Sequence, residues 1–146
     1  MSNTKTTPSL RPTSTLTIPV DPEAILQRYL AVWTIEDEQE RRAAVAEIWA
    51  PDGVEFVQGL HFEGHAELAD RVARAYEAFF ATNSFVAGYD EDLTVHQDIL
   101  RFTITLSEPA NGKPAELAWS ARVFLLLDDD GKVQQSYQVT LKPLPA

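Results

Sequence analysis

Residues 117–127 read LAWSARVFLLL, and the way this segment sorts its side chains decides the fold. Side chains alternate between the two faces of a β-strand. One parity carries Leu117, Trp119, Ala121, Val123, Leu125 and Leu127; the other carries Ala118, Ser120, Arg122, Phe124 and Leu126. A strand in an antiparallel sheet with one wet face alternates apolar with polar. This one does so only in its first half. It therefore belongs to a sheet that buries one face on its own core and turns an apolar patch outward on the other. Its neighbours in sequence continue the sheet. ILRFTITL (99–106) alternates cleanly, EPANGKPA (108–115) is turn chemistry around Asn111-Gly112, Asp128-Asp-Asp-Gly131 is a hairpin, and KVQQSYQVTL (132–141) is the last strand.

Upstream the period changes to that of helices. Asp21-Pro22 opens the first: Asp accepts from free N–H groups and Pro suits the first helical position. Ile25, Leu26, Tyr29, Leu30 and Trp33 then recur at helical spacing. Thr34-Ile-Glu-Asp37 resembles a capping box opening a second helix, whose buried stripe is Val45, Ile48 and Trp49 and which Pro51 stops. GVEFV and LHFEG form a short extended pair. Gly64 precedes a third helix with Leu68, Val72, Ala75, Tyr76, Phe79 and Phe80 on one face, closed by Asn83. Helices followed by a meander of antiparallel strands predict an α+β fold with the helices packed on one face of the sheet. Residues 1–20, rich in Ser, Thr and Pro, read as a flexible arm, and 21–146 as one domain.

At 146 residues and 45% hydrophobic content the chain is long enough to close one core. It has no Cys, which excludes disulfides and thiolate chemistry. The formal net charge of -10, with no Lys/Arg cluster to offset it, repels phosphates and anionic membrane surfaces, so neither nucleic acid nor a membrane is expected as partner. No Gly-rich phosphate loop and no cofactor motif is present, and the N-terminal residues lack the apolar run of a signal peptide, so a cytoplasmic protein is expected. The outward patch of Phe124 and Leu126, joined by Tyr137, Val139 and Leu141, predicts a homodimer through the sheet. The other reading is that the arm covers it, docking through Leu16, Ile18 and Val20.

RYLAVW, IWAPDGVEFV, FEGHAEL, DILRFTITL and LDDDGKV, in this order and spacing, resemble the nuclear-transport-factor-2-like superfamily, in its SnoaL-like, polyketide-cyclase-like branch. The resemblance implies a cone: a strongly curved antiparallel sheet around three helices with a pocket at the open end (a cystatin-like roll). Members include isomerases, cyclases, dehydratases, ligand binders and interaction modules, so fold alone leaves function open. By resemblance to the isomerases, Tyr29 matches their oxyanion donor, while Val57 and Val123 stand nearest their two carboxylates. A valine takes no proton, so that constellation is expected to be missing. An epoxide-hydrolase frame would lay His96, Asp98 and Gln138 over that branch's charged residues and matches only at Asp98. The resemblance also sends Leu100, Phe102, Ile104 and Leu106 inward and Arg101 outward. It turns Ser136, Gln138 and Thr140 into the pocket and gives it walls of Trp33, Phe56, Tyr76, Phe79, Trp119 and Val123.

Each candidate has a plain alternative. His96-Gln97-Asp98 reads as a dyad on a strand or as a turn. Tyr29 is a ligand-directed hydroxyl or a buried, satisfied one. His61 and His65 straddle a strand-to-helix junction with no evident third ligand, so no metal is expected, and His61 is the better acid/base candidate. Arg101 suits an outer ion pair or interface. The acids of 36–40 and 128–130 read as solvated helix face and turn. The expected function is a domain binding a small hydrophobic or aromatic molecule. The alternatives are an isomerase, cyclase or dehydratase using Tyr29 with His61 or His96, and a homodimeric interaction module.

Overall fold

The structure, a computed structural model, describes residues 20–109, 112 and 115–144. The expected arm, up to residue 19, and Asn111 of the expected turn lie outside the described residues. Helix α1 (Pro22–Val32) begins where Asp21 accepts from the Glu23 N–H at 3.1 Å, and it buries Ile25, Leu26, Tyr29 and Val32. Helix α2 (Glu38–Ile48) is capped by Asp37, which accepts from the Glu40 N–H at 2.9 Å. Thr34 does not open α2 as expected; its hydroxyl donates back to the Ala31 carbonyl at 3.0 Å. The shift has a local cause. Arg41 Nη1 donates to the carbonyls of Ile35 and Glu36 at 2.9 and 3.2 Å, holding those residues as the corner between the helices.

Strand β1 (Trp49–Val57) follows α2 directly and carries Pro51 in its irregular first half. A Cβ at Gly53 would lie 2.9 Å from the Val133 carbonyl oxygen, so only glycine lets β1 approach its neighbour there. Gln58 and Gly59, both at positive φ, turn β1 into β2 (Leu60–Glu63). Helix α3 (Gly64–Tyr76) buries Leu68, Ala69, Val72 and Ala75 and runs into a wide π turn, Glu77–Ala81. Five more strands complete the sheet: β3 (Val86–Tyr89), β4 (Thr94–His96), β5 (Ile99–Ser107), β6 (Leu117–Leu127) and β7 (Val133–Lys142). The ambiguity at 96–98, dyad or turn, resolves here. His96 ends β4 opposite Ile99, and Gln97, at φ 54°, with Asp98 makes the turn.

The strands form one curved, unclosed sheet in the order β2-β1-β7-β6-β5-β3, with β4 also on β5. Every pairing is antiparallel except β1 with β7, which makes the sheet mixed. Leu100, Phe102 and Ile104 of β5 and Ala121, Val123 and Leu125 of β6 are buried with Leu26, Val32, Leu68 and Val72 of the helices in one cluster. Truncating Leu26 or Leu100 to Ala in such a core costs about 2–5 kcal/mol. The outward row presents Ile99, Tyr137, Val139 and Leu141, each at least a third exposed. No helix among the described residues is long and apolar enough to cross a membrane.

Candidate functional site

The interior of the cone holds a linked set of polar side chains on an aromatic bed. In β1 the parity of the buried Gly53 also turns Glu55 and Val57 inward, and in β7 Ser136, Gln138 and Thr140 face the same way. Register aligns Glu55 with Ser136 and Val57 with Gln138. Helix α1 adds Tyr29 and helix α3 adds Arg71. Glu55 is fully buried. Its Oε1 accepts from the Tyr29 hydroxyl at 2.9 Å and from Ser136 Oγ at 2.8 Å, and its Oε2 accepts from Arg71 Nε at 3.2 Å. Ser136 Oγ in turn accepts from Trp49 Nε1 at 3.2 Å. Arg71 Nη2 donates to Gln138 Oε1 at 3.2 Å, and Gln138 Nε2 donates to the Tyr29 oxygen at 2.9 Å. A buried carboxylate is costly unless paired and hydrogen-bonded. Here both of its oxygens are engaged.

Around this set, Tyr29 packs edge-on to Trp33 and Phe102 with centroids 5.7 and 5.9 Å away, and tilted against Trp49 at 5.7 Å. Burial pushes the Tyr29 phenol well above its ordinary pKa, and the neighbouring Glu55 charge pushes it further. The phenol therefore stays protonated and acts as a donor to Glu55.

Above the network opens a cavity of about 310 Å3. Its walls include Trp33, Phe79, Phe80, Ile104, Leu106 and Trp119; Phe79 stacks on Trp119 with centroids 6.5 Å apart. The π turn brings the adjacent residues Phe79 and Phe80 both to this wall. Its polar lining is Gln58, Arg71, Thr105, Gln138 and Thr140, with no Asp, Glu or His among the described residues that line it. Gln58 Nε2 donates to Thr140 Oγ1 at 2.8 Å near the same wall.

The structure thus brings Trp33, Phe79, Trp119 and Gln138 to the cavity, while Leu100, Phe102, Val123 and Ser136 lie in the core beneath it. Two expected wall residues lie elsewhere. Phe56 faces out of the cone and stacks on Tyr137 at 4.8 Å, because its parity on β1 is opposite to that of Glu55. Tyr76 lies under the Arg41 guanidinium, 5.5 Å from ring centroid to Cζ, and stacks on Phe80, since α2 claims that side of α3. Tyr29 is fully buried and its hydroxyl is committed to Glu55, not to the cavity. His61 is exposed on edge strand β2 opposite Phe56, and His96 is exposed at the end of β4. Neither histidine lines the cavity, and the structure does not bring either to Tyr29's buried side. Glu55 is the residue that sequence reasoning missed. Val57, nearest the isomerases' carboxylate position, stands two residues after it on the same inward parity. Arg71 was missed too, although it falls at helical spacing between Leu68 and Ala75.

This arrangement of three helices in a curved sheet has solved counterparts. A protein of the SnoaL-like family from Agrobacterium tumefaciens strain C58, proposed to be an isomerase, superposes with a TM-score of 0.71 at 21% identity, over 82% of this chain and 96% of that one. The chain has the nuclear-transport-factor-2-like fold of the SnoaL-like proteins. A Sinorhizobium meliloti protein proposed to be a polyketide cyclase shares this fold at TM-score 0.58 and 20% identity, over 79% of this chain and 93% of that one. A protein with a ketosteroid isomerase-like fold from Catenulispora acidiphila DSM 44928, solved with trimethylamine, shares it at TM-score 0.60 and 15% identity, over 84% of this chain and 85% of that one. No protein-family model and no curated protein matches the chain. At these identities the likeness to the nuclear-transport-factor-2-like proteins is one of fold.

Proposed function

We propose that this domain binds a small hydrophobic or aromatic molecule in the cone. The observation that carries the reading is the cavity's lining: aromatic and aliphatic walls with a few polar groups among them, in a volume of about 310 Å3. Ligand pockets of small molecules have this build, at roughly 300–1,000 Å3. An isomerase, cyclase or dehydratase needs a proton carrier within hydrogen-bond reach of the substrate. The cavity wall offers none among its described residues, and the buried carboxylate sits behind Arg71 and Gln138. That favours binding over proton transfer. A purely structural module would have no use for an open, aromatic-walled cavity of this size. The test is titration of the protein with a panel of aromatic and terpenoid compounds, read by the emission of Trp33 and Trp119. No spectral change and no thermal stabilisation from any of them would refute the reading.

We further infer that the outer sheet face pairs with a second copy of the chain. Val139, Leu141 and Tyr137 are 51%, 49% and 39% exposed on one strand, and exposed apolar patches of this kind mark interfaces. Beside them Arg101 and Arg122, in register with Phe124 and Val139, each bury an Nε–H with no acceptor among the described residues.

A further inference from the structure

We propose that the ligand of the cone is an apolar molecule bearing one carboxylate, and that Arg71 is its anchor. This rests on the ligand-binding reading above and deepens it.

A guanidinium has two edges, each able to grip a planar pair of oxygens. In Arg71 the edge made by Nε and Nη2 is already used, by Glu55 Oε2 and Gln138 Oε1, both at 3.2 Å. The end-on edge, made by Nη1 and the second N–H of Nη2, is joined by no hydrogen bond among the described residues. Arg71 lines the cavity, and its side chain keeps 18% of its exposure. Its plane is also held in place: Cζ lies 5.1 Å from the Trp33 ring centroid and 5.6 Å from that of Phe62. A planar fork fixed by two hydrogen bonds and two aromatic faces is preorganised for the matching planar acceptor, a carboxylate.

The rest of the lining narrows the class. Arg71 is the one cation among the described lining residues, so a doubly charged phosphate monoester would bring more charge to it than a carboxylate does, and a sulfate ester, though a monoanion, presents a tetrahedral group and not a planar pair of oxygens. A monoanion on an apolar body suits the walls of Trp119, Phe79 and Ile104. The chain's net charge of -10 opposes any anion at long range. That field is screened over about 8 Å at physiological ionic strength, and no acid among the described residues lines the cavity. Glu55, the nearest acid, is fully buried behind the guanidinium. Local hydrogen bonding therefore outweighs the global field.

The experiment uses the full chain and three matched pairs, 2-naphthoate, cinnamate and octanoate, each with its methyl ester, in calorimetric titrations at neutral pH. The expected result is that at least one acid binds about tenfold or more tightly than its ester, the scale of a charge-assisted pair of bonds. The Arg71→Lys variant keeps a counter-charge for Glu55 but has no planar edge. It should stay folded by circular dichroism and narrow the acid–ester gap to about threefold or less. Esters that bind as tightly as their acids overturn the anchor and leave the cavity reading standing. An acid preference that survives Arg71→Lys unchanged assigns the carboxylate to another group and overturns it too. If none of the six compounds binds, the ligand-binding reading falls, and the anchor with it.

Discussion

The Tyr29 hydroxyl donates to Glu55 Oε1 at 2.9 Å, tying the middle of the first helix to the strand that follows the second. Through this bond a helix tyrosine serves the interior and not the cavity. Replacing Tyr29 by Phe removes the donor and leaves Gln138 Nε2 without its acceptor, a loss of about 1–3 kcal/mol of stability for a buried pair. Ligand affinity, measured on the folded variant, should stay within about threefold of the parent, since a change of 1.4 kcal/mol is needed for tenfold. A variant that keeps its stability but loses binding would show that the hydroxyl reaches the ligand after all.

The same tyrosine sets an alkaline limit. Its pKa is raised in the folded state by burial first and by the Glu55 charge second. A raised folded pKa means that the folded chain holds the proton more tightly than the unfolded chain. The resulting stability is fully present below the ordinary phenol value of about 10 and is lost as pH rises from there toward the folded value. Thermal unfolding midpoints followed from pH 8.5 to 11.5 should fall more steeply in the parent than in Tyr29→Phe. Parallel slopes would mean that Tyr29 ionises alike in both states.

Glu55 and Arg71 should respond unequally to removal. Glu55→Gln leaves a partly buried guanidinium without its counter-ion and sets its amide NH2 against a donor in either orientation, Arg71 Nε on one side or Tyr29 and Ser136 on the other. Breaking a buried pair this way costs about 3–5 kcal/mol. Arg71→Lys, which keeps the charge, should cost clearly less. Urea melts of the two variants decide the order, and equal costs would mean that charge is not what Arg71 gives Glu55.

The fold was legible because its signals are periodic. The 3.6 spacing of Ile25, Leu26 and Tyr29 and the alternation of ILRFTITL each describe one buried face, and the structure buries those faces. The parallel pairing of β1 with β7 was not legible, because it joins the segment around Val54 to that around Gln135 and no local pattern encodes so distant a partner. The second helix begins later than expected because Arg41 turns back to hold the corner carbonyls of Ile35 and Glu36. The site was harder for a different reason. Glu55 looks like one acid in an acidic chain, and only the parity it shares with the buried Gly53 and the inward Val57 marks it as interior. Phe56, expected in the pocket wall, is sent out by its own parity on β1.

The outer face makes a prediction about assembly. Val139→Lys places a charge on a side chain that is 51% exposed in one copy of the chain, so the fold should lose no more than about 0.5 kcal/mol. In a sheet-to-sheet dimer the same lysine is buried against the partner, and sedimentation velocity should show the dimer giving way to monomer. A parent protein that sediments as a monomer at high micromolar concentration would refute the pairing outright.

The cavity can be closed from its edge. Ala87 on β3 is in register with Leu106 of β5, and both line the cavity wall. Ala87 is half-buried on an edge strand, so a larger side chain there meets open volume and not packed core. Ala87→Phe should fill part of the space that a ligand would occupy and cost little, since overpacking penalties of about 1–3 kcal/mol apply to cores already full. Affinity for any aromatic ligand should fall by about tenfold or more, a loss of 1.4 kcal/mol or greater. The mutation touches neither Arg71 nor Gln138, so a binding loss here with unchanged acid–ester discrimination separates the space of the cavity from its polar anchor. Undiminished affinity in a folded Ala87→Phe protein would place the ligand outside this cavity.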